Sequence, residues 1–125
     1  MSTTKVSPPN SIIFIYDHSN REVDVPAYMN GALVAANSTC ISVGTLAFMD
    51  GETEITLTDD SHDIEVGELV FDGTLQTPGM EVSICNSLNE KLLAVPVSDV
   101  SARVRVFAND PSEPDRIVVL AMSEA

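Results

Sequence analysis

The sequence predicts an all-β fold, an antiparallel sandwich of two sheets with about eight or nine short strands and at most one short helix. Apolar and polar residues alternate with a period of two in several short runs, which is the pattern of half-buried strands. Turn signals such as Asp50-Gly51 and Pro78-Gly79 separate these runs at spacings of about 8–12 residues. Only residues 27–37 have helical character, and Gly31 weakens it.

The first ten residues precede the predicted sandwich. Pro8 and Pro9 lack the backbone N–H that strand pairing requires, so residues 1–10 are predicted to form a flexible lead. Residues 11–122 are predicted to form one β-sandwich domain, since a chain of 125 residues has the size of a single domain. The polar, proline-containing start does not resemble a signal peptide, and no apolar run is long enough to span a membrane, so a cytoplasmic location is expected.

The strand-like segments share β-branched residues and flanking turn residues. In chain order they are residues 11–16, 21–25, 39–48, 53–58, 69–77, 80–85, 90–97, 101–107 and 116–122. The clearest alternation runs from 101 to 107, where Ala102, Val104 and Val106 point inward and Arg103 and Arg105 point outward. These arginines, with Arg116, are expected to meet acidic neighbours in cross-strand pairs.

The segment 39–48 changes its inward face at Gly44. Ile41 and Val43 share one parity, whereas Leu46 and Phe48 have the other. A bulge at Gly44 would restore one inward face, which would carry Phe48 into the core. Asp50-Gly51 follows as the strongest hairpin signal in the chain, ahead of the strand that begins near residue 53.

Cys40 and Cys85 lie in strand-like runs without the CxxC spacing of a metal or redox site. Both are predicted to be reduced packing residues, as is usual in a reducing compartment. Cys85 shares its parity with Glu81 and Ser83, which predicts that its side chain is partly exposed.

The balance of charge gives the strongest functional signal. Six basic residues stand against nineteen acidic ones, a net charge of −13. No Lys or Arg occurs between Arg21 and Lys91, and thirteen of the acidic residues lie in that gap. This argues against nucleic acid and anionic membranes as ligands, because both attract basic surfaces. A basic protein fits this charge, although acidity alone also keeps a protein soluble.

The densest group of carboxylates follows the predicted strand 53–58. We predict that a basic partner is contacted by Asp59, Asp60, Asp63, Glu65 and Glu68. The same loop could instead hold Ca²⁺, for which carboxylate and backbone oxygens are suitable ligands, although its spacing is not that of an EF-hand. A third alternative is a structural or self-assembling protein, a possible homo-oligomer that buries an exposed apolar position within residues 92–97.

No catalytic residue and no cofactor is predicted. His18 and His62 each stand beside an aspartate and a serine, but adjacent residues of an extended chain point in opposite directions and do not form a triad. No nucleophile elbow, HExxH, phosphate-binding loop or GxGxxG occurs in the sequence. The residues therefore indicate a binding protein and not an enzyme.

The order of these features resembles the competence protein J family. The similar segments are YDHS, NGALVA, CISVGTL, LVFDGTLQTPGMEVSIC, LLAVPVSDVSARVRVFAN and RIVVL, within residues 11–122. The chain departs from the family by lacking a Trp-Thr-Asp lead into the helix, where it has Val25-Pro26-Ala27. The resemblance implies a non-enzymatic inhibitor or immunity-type protein that acts on a nuclease or another toxin. It implies no catalytic or binding residues.

Overall fold

The computed structural model describes residues 1–26, 32–63 and 67–123. These residues form ten strands in two five-stranded sheets, with short 3-10 turns at Pro9–Ser11 and Ser61–Asp63. The strands are β1 (Ser2–Val6), β2 (Ile12–Tyr16), β3 (Val34–Ala36), β4 (Ile41–Gly44), β5 (Thr53–Thr58), β6 (Glu68–Gln76), β7 (Glu81–Asn86), β8 (Lys91–Pro96), β9 (Ser101–Ala108) and β10 (Arg116–Ser123). The predicted all-β sandwich is confirmed.

The two sheets have the strand orders β1-β5-β10-β9-β6 and β3-β4-β2-β7-β8. Neighbouring strands pair in antiparallel fashion except β5 and β10, which run parallel with Ile55 opposite Ile117. This pair departs from the antiparallel expectation. Parallel neighbours require a long crossover between them, and residues 59–115 separate these two strands.

The core lies between the sheets and is almost entirely aliphatic. Alternating residues of the inner strands supply it, as the sequence pattern predicts for β9. The central buried side chains are Ile13, Ile15, Ile41, Val43, Ile55, Leu57, Leu75, Val82, Ile84, Val104, Val106, Ile117 and Val119. Each such side chain contributes roughly 1.5–3 kcal/mol through removal from water.

Three expectations for the first forty residues are wrong. The lead is not wholly unpaired, because Ser2–Val6 forms β1 and pairs with β5. Pro8 and Pro9 follow this strand and end it instead of preventing it. Residues 21–25 form no strand, and Val34–Ala36 is the edge strand β3 instead of the end of a helix. The rest of the predicted helix, residues 27–31, lies outside the described residues.

The expected bulge at Gly44 and hairpin at Asp50-Gly51 are also wrong. β4 ends at Gly44, and residues 45–52 carry the chain from one sheet to the other, so β4 and β5 are not partners. The turn exists, since the Asp50 N–H donates to the Ala47 carbonyl at 2.8 Å. A register shift between Leu69 and Phe71 in β6 provides a bulge instead. Phe48 is therefore half-exposed and not part of the core.

Both cysteines are free and fully buried. Cys85 points away from the aliphatic core, as its parity indicates, but the expectation of partial exposure is wrong because this face of β7 is covered too. Burial raises the pKa of Cys40 to about 12 and raises that of Cys85 above its usual value. The Cys40 thiol is harder to ionise in the folded protein than in the unfolded chain, where its pKa is 9.0. Its contribution to the free energy of unfolding is therefore present below pH 9.0 and is lost as the pH rises toward 12.

Candidate functional site

The basic side chains of the two last strands are neutralised by carboxylates on neighbouring strands. Arg103 Nη2 lies 2.9 Å from Asp72 Oδ2, and Arg105 Nε lies 3.5 Å from Asp72 Oδ1. Arg116 Nε lies 3.0 Å from Glu54 Oε2. The hydrogen bond from the Arg103 guanidinium holds the pKa of Asp72 below its usual value. The predicted cross-strand pairs of all three arginines are confirmed.

Lys91 adds another such pair, with Nζ 2.9 Å from Glu81 Oε1. Four of the six basic residues of the chain are thus paired with acidic side chains within the sheets. Surface pairs of this kind stabilise a fold by only about 0–1 kcal/mol each. Their larger consequence is electrostatic, because the loops carry carboxylates while most cations are already neutralised.

Carboxylates gather at the end of the sandwich where β5, β6 and β10 begin and β9 ends. We call this surface the acidic end, and its members are Asp50, Glu52, Glu54, Glu68, Asp110, Glu113 and Asp115. The loops that carry them are joined by backbone hydrogen bonds. The Leu46 N–H donates to the Pro114 carbonyl at 2.8 Å, and the Glu54 N–H donates to the Asp115 carbonyl at 2.7 Å. Glu68 and Asp110 line one cleft.

The loop between β9 and β10 holds two of its three carboxylates, those of Asp110 and Asp115, through hydrogen bonds. Asp110 Oδ1 accepts hydrogen bonds from the backbone N–H groups of Ser112 and Glu113, both at 2.9 Å. These bonds, the one from Glu113 foremost, lower the pKa of Asp110 and keep its carboxylate ionised. Asn109 Nδ2 donates to Asp115 Oδ1 at 2.6 Å. The Asp110 and Asp115 carboxylates are therefore held in place before a partner binds.

The five residues predicted to contact a partner do not all lie at this end. Glu68 belongs to the acidic end, whereas Asp59 and Asp60 follow the opposite end of β5. Six residues of strand separate the two ends by roughly 17 Å, and β10 and β9 lie between β5 and β6. Asp63 ends the short 3-10 turn after β5, and Glu65 lies outside the described residues.

Asp60 is held by its own loop. Its Oδ1 accepts the backbone N–H of His62 at 2.9 Å and lies 2.9 Å from His62 Nδ1. The hydrogen bond from the backbone N–H is the main reason why the pKa of Asp60 is lowered. Asp59 and Asp60 are both exposed, so two negative charges project from this point of the surface.

The Ca²⁺ alternative and the histidine pairs gain no support from the described residues. Within residues 1–26, 32–63 and 67–123, no three His, Cys, Asp or Glu side chains are grouped so as to hold a metal ion. His18 stacks on Tyr16 with ring centroids 6.0 Å apart, and its Nε2 lies 3.2 Å from the Asn89 carbonyl. The Asp17 carboxylate is instead bonded to Ser19 and Gly79.

Sequence reasoning missed an exposed apolar pair at the acidic end. The side chains of Phe48 and Met49 are 50% and 80% exposed. Their turn is fixed because the Phe48 N–H donates to Ser11 Oγ at 3.0 Å. A groove of about 350 Å³ lies beside it, lined by Ala47 and Glu113 among others. The change of parity at Gly44 was the available signal, since it marks the end of the strand as well as it would mark a bulge.

Among the residues that the structure describes, no helix has both the length and the apolar character needed to cross a bilayer.

No protein-family profile and no curated protein matches this sequence. Two solved structures share its fold. The crystal structure of ComJ from Bacillus subtilis, an inhibitor of the DNA-degrading activity of NucA, matches with a TM-score of 0.71 and 13% identity, covering 98% of this chain and 96% of that chain. A protein described as crocagin biosynthetic gene J matches with a TM-score of 0.54 and 13% identity, covering 99% and 96%. The resemblance to the competence protein J family is thus confirmed for the fold.

Proposed function

We propose that this chain is a non-enzymatic inhibitor or immunity-type protein that binds and blocks a basic protein such as a nuclease or a toxin. The distribution of charge carries the proposal. Four of the six basic residues are paired within the sheets, while the Asp110 and Asp115 carboxylates are held by hydrogen bonds at the acidic end. A nuclease holds phosphate in a basic cleft, and an array of carboxylates can occupy such a cleft in place of nucleic acid. The fold shared with ComJ, an inhibitor of NucA, supports the same function.

The two groups of carboxylates have different roles in this proposal. The acidic end, which includes Glu68, forms the contact with the partner. Asp59 and Asp60, together with Asp63 and Glu65, enlarge the negative field and steer the partner during diffusion. Charges outside a contact change mainly the association rate, whereas charges buried within it change mainly the dissociation rate.

The steering role predicts a kinetic effect of Asp59→Lys combined with Asp60→Lys. Association at low salt is expected to slow by about 5- to 10-fold and its dependence on salt to flatten, because attraction becomes repulsion. Dissociation is expected to change little. Biosensor kinetics with a purified basic DNA-degrading nuclease from the same genome, recorded over a series of salt concentrations, measures all three quantities.

The matched control is Glu22→Lys with Asp24→Lys, which makes the same change in net charge at two other exposed positions. If the control slows association as much as the test variant, the effect comes from net charge alone. If the association rate and its salt dependence survive Asp59→Lys and Asp60→Lys unchanged, these carboxylates have no part in recognition.

A further inference from the structure

We propose that Phe48 and Met49 form the apolar anchor of the contact surface and insert into an apolar recess, ringed by basic residues, on the partner protein. The inference rests on the proposed function, because it identifies where and how the basic partner is held. It adds an apolar component to a contact that the charges alone would make electrostatic.

The anchor is exposed and already ordered. Adjacent side chains with 50% and 80% of their surface in water form a local apolar patch at the tip of one turn. The turn is closed by the hydrogen bond from the Asp50 N–H to the Ala47 carbonyl, and Ser11 Oγ accepts the Phe48 N–H. Because the backbone of the turn is held before binding, little backbone conformational entropy remains to be lost when a partner covers these side chains.

The surface around the anchor has the composition of an interface. The hydrogen bond from the Leu46 N–H to the Pro114 carbonyl joins the turn to the β9–β10 loop, which carries Ser112 and Glu113. Both of these residues line the neighbouring groove of about 350 Å³. An apolar centre with a polar, charged rim is the arrangement in which a few central side chains supply most of the binding energy.

The carboxylates around Phe48 and Met49 determine which kind of partner can bind there. Asp50 follows the anchor directly in sequence and Glu52 comes two residues later. Backbone hydrogen bonds join this turn and the start of β5 to the loop that carries Asp110, Glu113 and Asp115. With Lys5 and Arg116 also at this end, its seven carboxylates leave a net charge of about −5. A second copy docked through the same surface would therefore place like charges against each other, which opposes association. A basic protein with an apolar recess complements both the charged rim and the apolar centre.

The test compares two pairs of apolar-to-serine changes. Phe48→Ser with Met49→Ser is expected to raise the Kd for the purified basic nuclease at least about 50-fold, mainly through faster dissociation. The control, Met80→Ser with Val100→Ser, alters similarly exposed side chains at the opposite end of the sandwich and is expected to change the Kd less than about 3-fold. All four side chains are exposed, so thermal unfolding should stay close to that of the unchanged protein.

The outcomes separate the anchor from the proposed function. If the protein with Phe48→Ser and Met49→Ser binds the nuclease as tightly as the unchanged protein, the anchor is wrong. The proposed inhibitor function is not affected by that result. Equal losses in the test and control pairs would overturn it as well, since binding would not be centred on this turn. If the unchanged protein does not bind the nuclease, the proposed function fails and the anchor fails with it.

Discussion

Replacing Asp17 with alanine is expected to lower the free energy of unfolding by about 3 kcal/mol. Asp17 is completely buried just after β2. Its carboxylate joins the segment that follows β2 to the β6–β7 turn, which carries the chain from one sheet to the other. Oδ1 accepts the backbone N–H of Ser19 at 3.0 Å and its hydroxyl at 2.6 Å. Oδ2 accepts the backbone N–H of Gly79 at 2.5 Å, in the turn between β6 and β7. Alanine would leave these donors without their partner, and a buried unpaired donor is costly.

Asp17→Asn separates hydrogen bonding from charge. An amide has one acceptor oxygen and cannot accept hydrogen bonds from both Ser19 and Gly79, which approach different carboxylate oxygens. We therefore expect Asp17→Asn to lower the free energy of unfolding almost as much as Asp17→Ala. Gly79→Ala should destabilise the same link, because an added Cβ would lie 1.8 Å from Ser19 Oγ and 3.0 Å from Asp17 Oδ2. Equilibrium unfolding in urea measures all three variants.

The matched control for this buried carboxylate is Asp110→Ala. Asp110 also accepts two backbone N–H groups and one hydroxyl, but it is exposed, so water can replace it as the acceptor. Asp110→Ala is therefore expected to lower the free energy of unfolding much less than Asp17→Ala. A loss for Asp17→Ala no greater than that of the control would contradict the role of burial at this site.

Reversing three charges of the acidic end is expected to raise the Kd for a basic nuclease by at least about 100-fold. The changes are Asp50→Lys, Glu52→Lys and Glu113→Lys. These side chains are exposed and take part in no ion pair within the described structure, so their replacement leaves the internal pairs intact. The expected effect is large because lysines would face the basic rim of the partner and convert attraction into repulsion.

The neutral variant Asp50→Asn, Glu52→Gln and Glu113→Gln provides a graded control. It removes attraction without adding repulsion, so its Kd should fall between those of the unchanged and reversed proteins. The differences in Kd among the unchanged, neutral and reversed proteins should become smaller as salt rises from about 50 to 500 mM, because the Debye length shortens. Calorimetric or biosensor titrations measure this series, and a Kd that is equal in all three proteins would rule out a contact at the acidic end.

The elements that could be predicted from the sequence are those set by local alternation. Val104 and Val106 are buried as their period of two indicates, and Arg103 and Arg105 meet Asp72 across the sheet. The pairing of β1 with β5 and the parallel pairing of β5 with β10 could not be predicted. Alternation determines which face of a strand is inward, but it carries no information about which distant strand lies beside it.

The candidate site was predicted only in part for the same reason. Asp59 follows β5 and Glu68 begins β6, and although the two residues are close in sequence, β10 and β9 lie between these strands. Asp110 and Glu113 come from a loop far along the chain and share the end of the sandwich with Glu68. A surface assembled from two loops and the first residues of β5 and β6 depends on strand order. The dense run of carboxylates after residue 58 therefore indicated only one part of the acidic surface.

Inhibition of DNA cleavage tests the central claim most directly. A purified basic nuclease from the same genome would digest linear DNA at 50 mM salt in the presence of increasing amounts of this protein. We predict that cleavage stops near one equivalent, that added salt restores it, and that the Asp50→Lys, Glu52→Lys and Glu113→Lys protein does not inhibit. Undiminished cleavage at a large excess of the unchanged protein would contradict its assignment as an inhibitor of a basic nuclease.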